Sequence, residues 1–248
     1  MILNLPLLRF QTHQLQESLV FHDGEKNYAV AVKRHARAKR LTLRVEPAQQ
    51  ILLTVPLRCS KKRMFAFLEE SRTWLIKQLI KTPRALPFKN GAIVPLRGLP
   101  HIIMHHADTP RGMVHAREGE IHVYGDAKHL ARRLTDFFKK EAKKDFEEAV
   151  ARHATKIGAR VKRIQLRDPR TRWGSCSEEG ILCFSWRIIF APPFVLDYLA
   201  AHEVAHLRVM DHSPRFWKLT EKICPHTPQG RSWLKDHGNA LLAIGEET

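Results

Sequence analysis

The sequence predicts an α+β fold, with a β-rich N-terminal domain over residues 1–127 and a second domain over residues 128–248. Three observations lead to this prediction. Short alternating apolar runs separated by turn residues fill much of the first part of the chain. A long segment with helical periodicity begins near Lys128. The last hundred residues combine short strands around a turn with helices that begin at prolines.

The N-terminal domain is predicted to contain hairpins and one helix. Residues 41–45 and 51–55 are two β-rich runs joined by a polar turn, which is the pattern of a β-hairpin. Ser60 is placed to cap a single helix over residues 61–81, where apolar residues recur at helical spacing. Residues 87–125 are rich in glycine, proline and short apolar runs, and they predict further hairpins.

The second domain is predicted to run helix, hairpin, helix, helix. Its expected elements are a helix over residues 128–158, strands at 164–166, 172–177 and 181–189, a helix from Pro193 to about Val209, and a helix from Pro214. Gly158 is a plausible stop for the first helix, because glycine readily adopts the left-handed backbone of a helix C-terminus. The sequence SEEG joins the last two strands as a hairpin turn.

The charge of the chain is strongly positive, since 42 Lys and Arg are set against 25 Asp and Glu, a net charge of +17. Such a field favours an anionic partner, for example nucleic acid or a nucleotide. The basic stretches KRHARAKR (residues 33–40) and KKR (residues 61–63) place part of this charge in the N-terminal domain. A solvated hairpin face explains the same stretches, so both interpretations stay open.

Cysteine usage and hydropathy bear on the compartment. The four cysteines form no CxxC pair, so reduced thiols in a reducing compartment are expected. No run approaches the roughly 18 uninterrupted apolar residues of a membrane span. The apolar start MILNLPLLRF lacks the basic segment and cleavage pattern of a signal peptide. We therefore expect a cytoplasmic protein with no membrane association.

The sequence HEVAH at residues 202–206 is the strongest functional signal. On the predicted helix, His202 and His206 fall in one stripe with Val195, Leu199 and Val209, where a core-facing helix would carry apolar residues. Two histidines four residues apart on one helical face can bind one cation together. Glu203 is then offset toward the open side of the metal, where a water would sit. This HExxH arrangement predicts a Zn²⁺ site with Glu203 as general base.

A catalytic zinc usually takes three protein ligands, and the sequence offers several residues for the third. The candidates are His212, His226, His237 or an acidic residue. His212 is favoured, because Ser213 followed by Pro214 predicts the start of a new helix and hence a turn that carries His212 back toward the site.

Other groups of the site are weaker candidates. Arg172 and Tyr198 are possible donors to a developing oxyanion, although a solvated charge is the preferred interpretation of Arg172. Trp173 and Trp186 are expected to be core aromatics. Asp197, Asp211 and Asp236 are candidates for orienting a histidine ring, and nothing in the sequence chooses among them.

Three segments carry a family resemblance: RWGSCS (172–177), FSWRIIFAP (184–192) and DYLAAHEVAHLRVMDHSPRFW (197–217). They resemble the YgjP-like metallopeptidase family, a relative of the SprT-like zinc proteases. The N-terminal segment is similar too, so the resemblance covers most of the chain. It implies a zincin-like C-terminal domain, zinc ligands at His202, His206 and His212, and catalysis by Glu203. It also implies a protein or peptide substrate bound as an extended chain along an edge strand near residues 173–177.

Three hypotheses about function follow. The first is a zinc-dependent metallopeptidase that hydrolyses peptide bonds with a zinc-activated water and Glu203 as general base. The second is a metal-dependent hydrolase of nucleotides, such as a nucleoside triphosphate pyrophosphatase, in which the positive charge binds phosphates. The third is a nucleic-acid-associated protein with a structural zinc, in which Glu203 has no evident role.

Overall fold

The computed structural model describes residues 15–109 and 111–246, so the apolar start of the chain lies outside the described residues. Residues 15–86 together with Glu246 form one compact unit, and residues 87–245 form a second. The boundary predicted at residues 127/128 is therefore misplaced by about forty residues. Its physical reason is visible at Arg97, whose backbone N–H donates to the Ile189 carbonyl at 2.7 Å. The segment that starts at Pro87 thus belongs to the unit that contains the long helix.

The first unit contains a four-stranded sheet and two helices. Its strands are β1 (Leu15–His22), β2 (Asn27–Arg34), β3 (Thr42–Glu46) and β4 (Gln50–Val55), and its helices are α1 (Lys61–Glu70) and α2 (Arg72–Lys81). The sheet order is β1-β2-β4-β3. The hairpin predicted from residues 41–55 is confirmed, since β3 and β4 pair antiparallel with Thr42 opposite Thr54.

The helix predicted over residues 61–81 is wrong in one respect, because it is two helices. Ser71, with φ −91° and ψ 0°, is both the C-cap of α1 and the N-cap of α2. Ser60 does cap α1, and its side chain accepts the N–H of Arg63. Each helix buries one apolar face, which includes Met64 on α1 and Leu75 on α2, in one core with the sheet.

The second unit begins with a sheet and a long helix. Its first strands are β5 (Ile93–Leu96), β6 (Leu99–His106), β7 (His115–Arg117) and β8 (Glu120–Tyr124), in the order β5-β6-β8-β7. The hairpins expected in this segment are confirmed for β5–β6 and β7–β8. Helix α3 (Leu130–Lys156) follows, and Gly158 adopts φ 60° just beyond its end, as expected.

The remaining elements build the part of the second unit that carries the histidines. They are β9 (Arg163–Arg167), β10 (Gly174–Cys176), β11 (Ile181–Ser185), α4 (Pro193–His206), α5 (Pro214–Ile223) and α6 (Thr227–Leu242). The sheet order β10-β11-β9 leaves β10 at an edge. The strand predicted over residues 181–189 stops at Ser185, and residues 186–190 form a 3-10 helix in which Trp186 is buried, as expected of a core aromatic.

Helix α4 is the centre of this unit. It packs against α3, α6 and β10, and most of its residues are buried on every side. Pro193 lies at its first turn, where the missing N–H costs nothing. Among the described residues no helix has the length and apolarity to cross a bilayer.

Candidate metal centre

Three histidine rings converge at the C-terminal end of α4. His202 and His206 lie on consecutive turns of the helix, and His212 approaches from the segment between α4 and α5. A ligand nitrogen of each ring lies within 4.8 Å of those of the other two. Nε2 of His202 and Nε2 of His212 are 3.2 Å apart. The structure thus brings together the three histidines that the sequence singled out, while His226 and His237 are not in this group.

The turn that positions His212 begins earlier than the sequence indicated. Helix α4 ends at His206 rather than near Val209, and the N–H groups of Arg208 and Val209 both donate to the Ala205 carbonyl. Ser213 lies at the N-cap of α5, as predicted, but its side chain makes no capping bond. The Asp211 carboxylate instead accepts the Ser213 N–H at 3.1 Å. His212 is thereby held in a tight corner between two helices.

A backbone carbonyl orients one of the rings. His206 Nδ1 donates to the Val209 carbonyl at 3.1 Å, so the proton is on Nδ1 and the lone pair on Nε2 faces the other rings. Phe216 of α5 is fully buried and contacts all three rings, with centroid distances of 4.4 to 4.9 Å. Neither the carbonyl nor Phe216 was identified from the sequence.

The protonation of the cluster suits a metal. Burial, reinforced by the neighbouring His206 and His212, lowers the pKa of His202 to about 3. Burial also lowers the pKa of His206. Both rings are therefore neutral at physiological pH, which is the form that coordinates metal.

The residues present fit a zinc ion on two observations. Each of the three rings offers one nitrogen, and these nitrogens lie within 4.8 Å of one another. Two nitrogens bound tetrahedrally at zinc distances of 2.0–2.1 Å lie roughly 3.3 Å apart, close to the 3.2 Å between His202 and His212.

Glu203 lies beside the cluster in a buried position where its carboxyl has few hydrogen-bond partners. Its side chain is 3% exposed, and its Oε2 atom has no hydrogen-bond partner among the described residues. Burial raises the pKa of this carboxyl to about 8, and the nearby Arg172 opposes that shift. An isolated buried carboxyl is unfavourable in a purely structural role, and such perturbed groups are concentrated at functional sites.

Gly174 on β10 makes room for this carboxyl. A Cβ added at that position would lie 2.3 Å from Glu203 Oε1. Strand β10 can therefore approach α4 this closely only with glycine at the contact. The RWGSCS segment was identified by resemblance, but the role of its glycine was not.

A cavity of about 340 Å³ opens over these residues. It is lined by Trp173, Gly174, Tyr198, Leu199, His202, Glu203, Arg231, Leu234 and Lys235. Tyr198 is buried, which raises its pKa to about 12 and keeps the phenol protonated. Of the two proposed oxyanion donors, Tyr198 lines the cavity and Arg172 is found only as a charge near Glu203. Arg231 and Lys235 of α6, which sequence analysis missed, add positive charge to the wall.

The three aspartates predicted as ring-orienting groups are bonded elsewhere. The Asp211 carboxylate accepts the N–H of Ser213, and the Asp236 carboxylate accepts the hydroxyl of Ser232 at 3.3 Å. Asp197 accepts from His153 Nε2 at 2.8 Å. Within the described residues none of the three accepts a hydrogen bond from the rings of His202, His206 or His212. Asp197 orients the ring of His153 instead, and the Val209 carbonyl orients His206.

Asp197 belongs to a second buried cluster, with His153 and Cys224. Its carboxylate accepts hydrogen bonds from His153, from Arg152 at 2.8 Å and from the Cys224 thiol at 3.5 Å. Burial alone would raise the pKa of Asp197, but the bonds and charges of His153 and Arg152 hold it well below its usual range. With its carboxylate fully bonded and a guanidinium against it, this cluster anchors α4 to α3 rather than offering a vacant ligand set.

Comparison with known proteins identifies a family whose model spans most of the chain. A family model described as "YgjP-like, metallopeptidase domain" matches residues 39–237. A solved structure, the metallopeptidase zymogen abylysin of Pyrococcus abyssi, is similar at 20% identity with a TM-score of 0.33, and the match covers 36% of this chain and 93% of that one. A search of the curated proteins gives no match. The family match confirms the resemblance noted in the sequence.

Proposed function

Since the chain belongs to the YgjP-like metallopeptidase family, we propose that it is a zinc-dependent peptidase of zincin-like architecture, with His202, His206 and His212 as zinc ligands and Glu203 as general base. One observation carries this proposal: a buried carboxyl, whose Oε2 atom has no hydrogen-bond partner among the described residues, lies next to three imidazoles that share one focus. A zinc ion there supplies Lewis acidity and lowers the pKa of a bound water toward about 7.

Two residues of the chain would then have separate roles in the reaction. Glu203 accepts a proton from the attacking water and passes it to the leaving amine. Its position beside the three histidines, buried and with Oε2 unpartnered among the described residues, suits a group that must both take up and release a proton. Tyr198, neutral and facing the cavity, is placed to donate to the developing oxyanion.

An extended peptide is the substrate we propose for the cavity. Strand β10 is at the edge of its three-stranded sheet and passes directly beside Glu203 at Gly174. Edge strands bind extended peptides through backbone hydrogen bonds. The positive wall formed by Arg231 and Lys235 would favour peptides with acidic residues near the scissile bond.

The decisive test is the Glu203→Gln variant, assayed for cleavage of a labelled denatured protein and for metal content by mass spectrometry. We expect zinc stoichiometry to be retained and turnover to fall by roughly 100-fold or more, since a general base contributes about 10²–10⁴-fold. Glu221→Gln, at an exposed glutamate of α5, is the matched control and should keep full activity. Cleavage undiminished in Glu203→Gln, or wild-type protein without zinc after mild purification, would overturn the proposal.

A further inference from the structure

The two basic stretches of the sequence meet at one end of the first unit's sheet. Strands β2 and β4 are parallel, with Arg34 opposite Val55, so both strands end at the same edge. The Arg34 guanidinium donates to the carbonyls of Leu57 at 2.9 Å and Cys59 at 3.0 Å. Residues 33–40 and 57–62 therefore form one continuous surface, here called the basic corner.

The basic corner has a large unbalanced positive charge. Its two segments hold eight Lys and Arg and no Asp or Glu. One carboxylate, Glu17, reaches this surface, and it is shared by Arg34 at 2.9 Å and Lys61 at 3.4 Å. The other six cations are exposed and form no ion pair within the described part of the chain: Lys33, Arg37, Lys39, Arg40, Arg58 and Lys62. Such crowding of like charges is unfavourable in the free protein and is relieved by an anion.

We propose that the basic corner binds the phosphate backbone of double-stranded nucleic acid without reading its sequence. Duplex DNA presents one negative charge per about 1.7 Å of its axis, the density that a compact group of mobile cations matches best. The corner contains no Phe, Tyr or Trp on which unpaired bases would stack, so a duplex is favoured over a single strand. Its one exposed large apolar side chain, Leu57, is too little to insert into a lipid surface.

The proposal does not depend on the peptidase assignment, and its test needs no turnover. The test variant is Arg37→Gln, Lys39→Gln and Arg40→Gln in the full chain, because these exposed side chains form no ion pair within the described residues whose loss would unfold the protein. Binding of a labelled 20-base-pair duplex is followed by fluorescence anisotropy over a range of KCl concentrations. Each lost phosphate contact lowers the salt slope by about 0.9, so the slope should fall by roughly two to three and affinity by about tenfold or more.

A charge-matched control separates a local site from net charge. Lys139→Gln, Lys140→Gln and Lys144→Gln remove the same charge from exposed positions on α3 and should leave the affinity unchanged. Equal weakening by both variants would overturn the proposal, as would a wild-type protein that fails to bind the duplex at low salt or binds a 20-nucleotide single strand more tightly. If the corner variant loses binding to phosphatidylserine vesicles while duplex binding is unchanged, the surface is one for lipid and the proposal fails. Should the triple variant melt at a lower temperature than wild type, Arg58→Gln with Lys62→Gln gives the same test from the other segment.

Discussion

Gly174 is the position at which the candidate site should tolerate a side chain least. An alanine Cβ there would lie 2.3 Å from Oε1, 2.8 Å from Cδ and 2.9 Å from Cγ of Glu203. Ordinary contacts begin near 3.4 Å, so the carboxyl or strand β10 must move by about 1 Å. Glu203 is 3% exposed, so its carboxyl can move only toward the cavity that it lines.

The displacement is expected to lower the catalytic rate more than the zinc content. A shift of about 1 Å in a catalytic group lowers the rate by roughly 100-fold. No atom of His202 or His206 is among the three nearest to the added Cβ, and both residues are held by helix α4, so zinc content should not change. The overpacked contact should also reduce the free energy of unfolding by about 1–3 kcal/mol.

Three measurements check this reasoning: kcat/KM on a labelled protein substrate, zinc content, and urea unfolding. Ser175→Ala, on the next residue of β10, adds no atoms and is the control. The double variant Gly174→Ala with Glu203→Ala should recover the lost stability, because the clashing carboxyl is gone, but not the activity. Near wild-type kcat/KM in Gly174→Ala, or no recovery of stability in the double variant, would refute the account of this contact.

Three further predictions concern the metal and the anchoring of α4. His212→Ala should weaken zinc affinity by more than about 100-fold in a chelator competition, whereas His237→Ala should not, and equal losses would exclude His212 as a ligand. EDTA should lower the wild-type melting temperature but not that of His206→Ala, since a ligand present at 1,000 times its Kd stabilises by about 4 kcal/mol. Asp197→Asn should be less stable at pH 7 by about 1–2 kcal/mol, after allowing for solvent screening of Arg152. Because the pKa of Asp197 is depressed in the folded state, this stabilisation is present above the unfolded carboxyl pKa near 4 and fades as the pH falls below it, so urea unfolding at pH 7 and pH 3 should show the difference shrinking.

The histidine cluster was predictable because its geometry is mostly local. A spacing of four residues places His202 and His206 on one helical face, and the Ser213–Pro214 pair marks the start of the next helix, so the turn that carries His212 could be foreseen. The hairpins were predictable for a similar reason, since alternation and turn residues lie close together in sequence. Binding of metal by these histidines remains a prediction for experiment.

One missed feature depends on an approach between distant parts of the chain, because nothing in RWGSCS shows that β10 will pass against Glu203. The bond from His206 to the Val209 carbonyl is local, but it requires α4 to end at His206, and the sequence predicted a helix that continues to about Val209. The domain boundary was misplaced because the change in composition near Lys128 marks the start of α3, not the edge of a compact unit. Asp197 could have been excluded as a partner of His206 from the sequence alone. Nine residues of helix separate the two and place them about half a turn apart.

The three histidines differ in how firmly the chain holds them. His202 and His206 are fixed by a buried helix, whereas His212 is exposed and belongs to a corner held by short-range bonds, among them the bond from the Ser213 N–H to Asp211. Local opening of a protein starts in such weakly bonded segments, well before its buried helices move. His212 would then be the last ligand to engage when the ion is captured and the first to detach when it leaves. The stiffness of residues 207–213 would then set how long the ion stays bound. Substitutions in this short corner could change the rate of metal exchange while the three ligands stay the same.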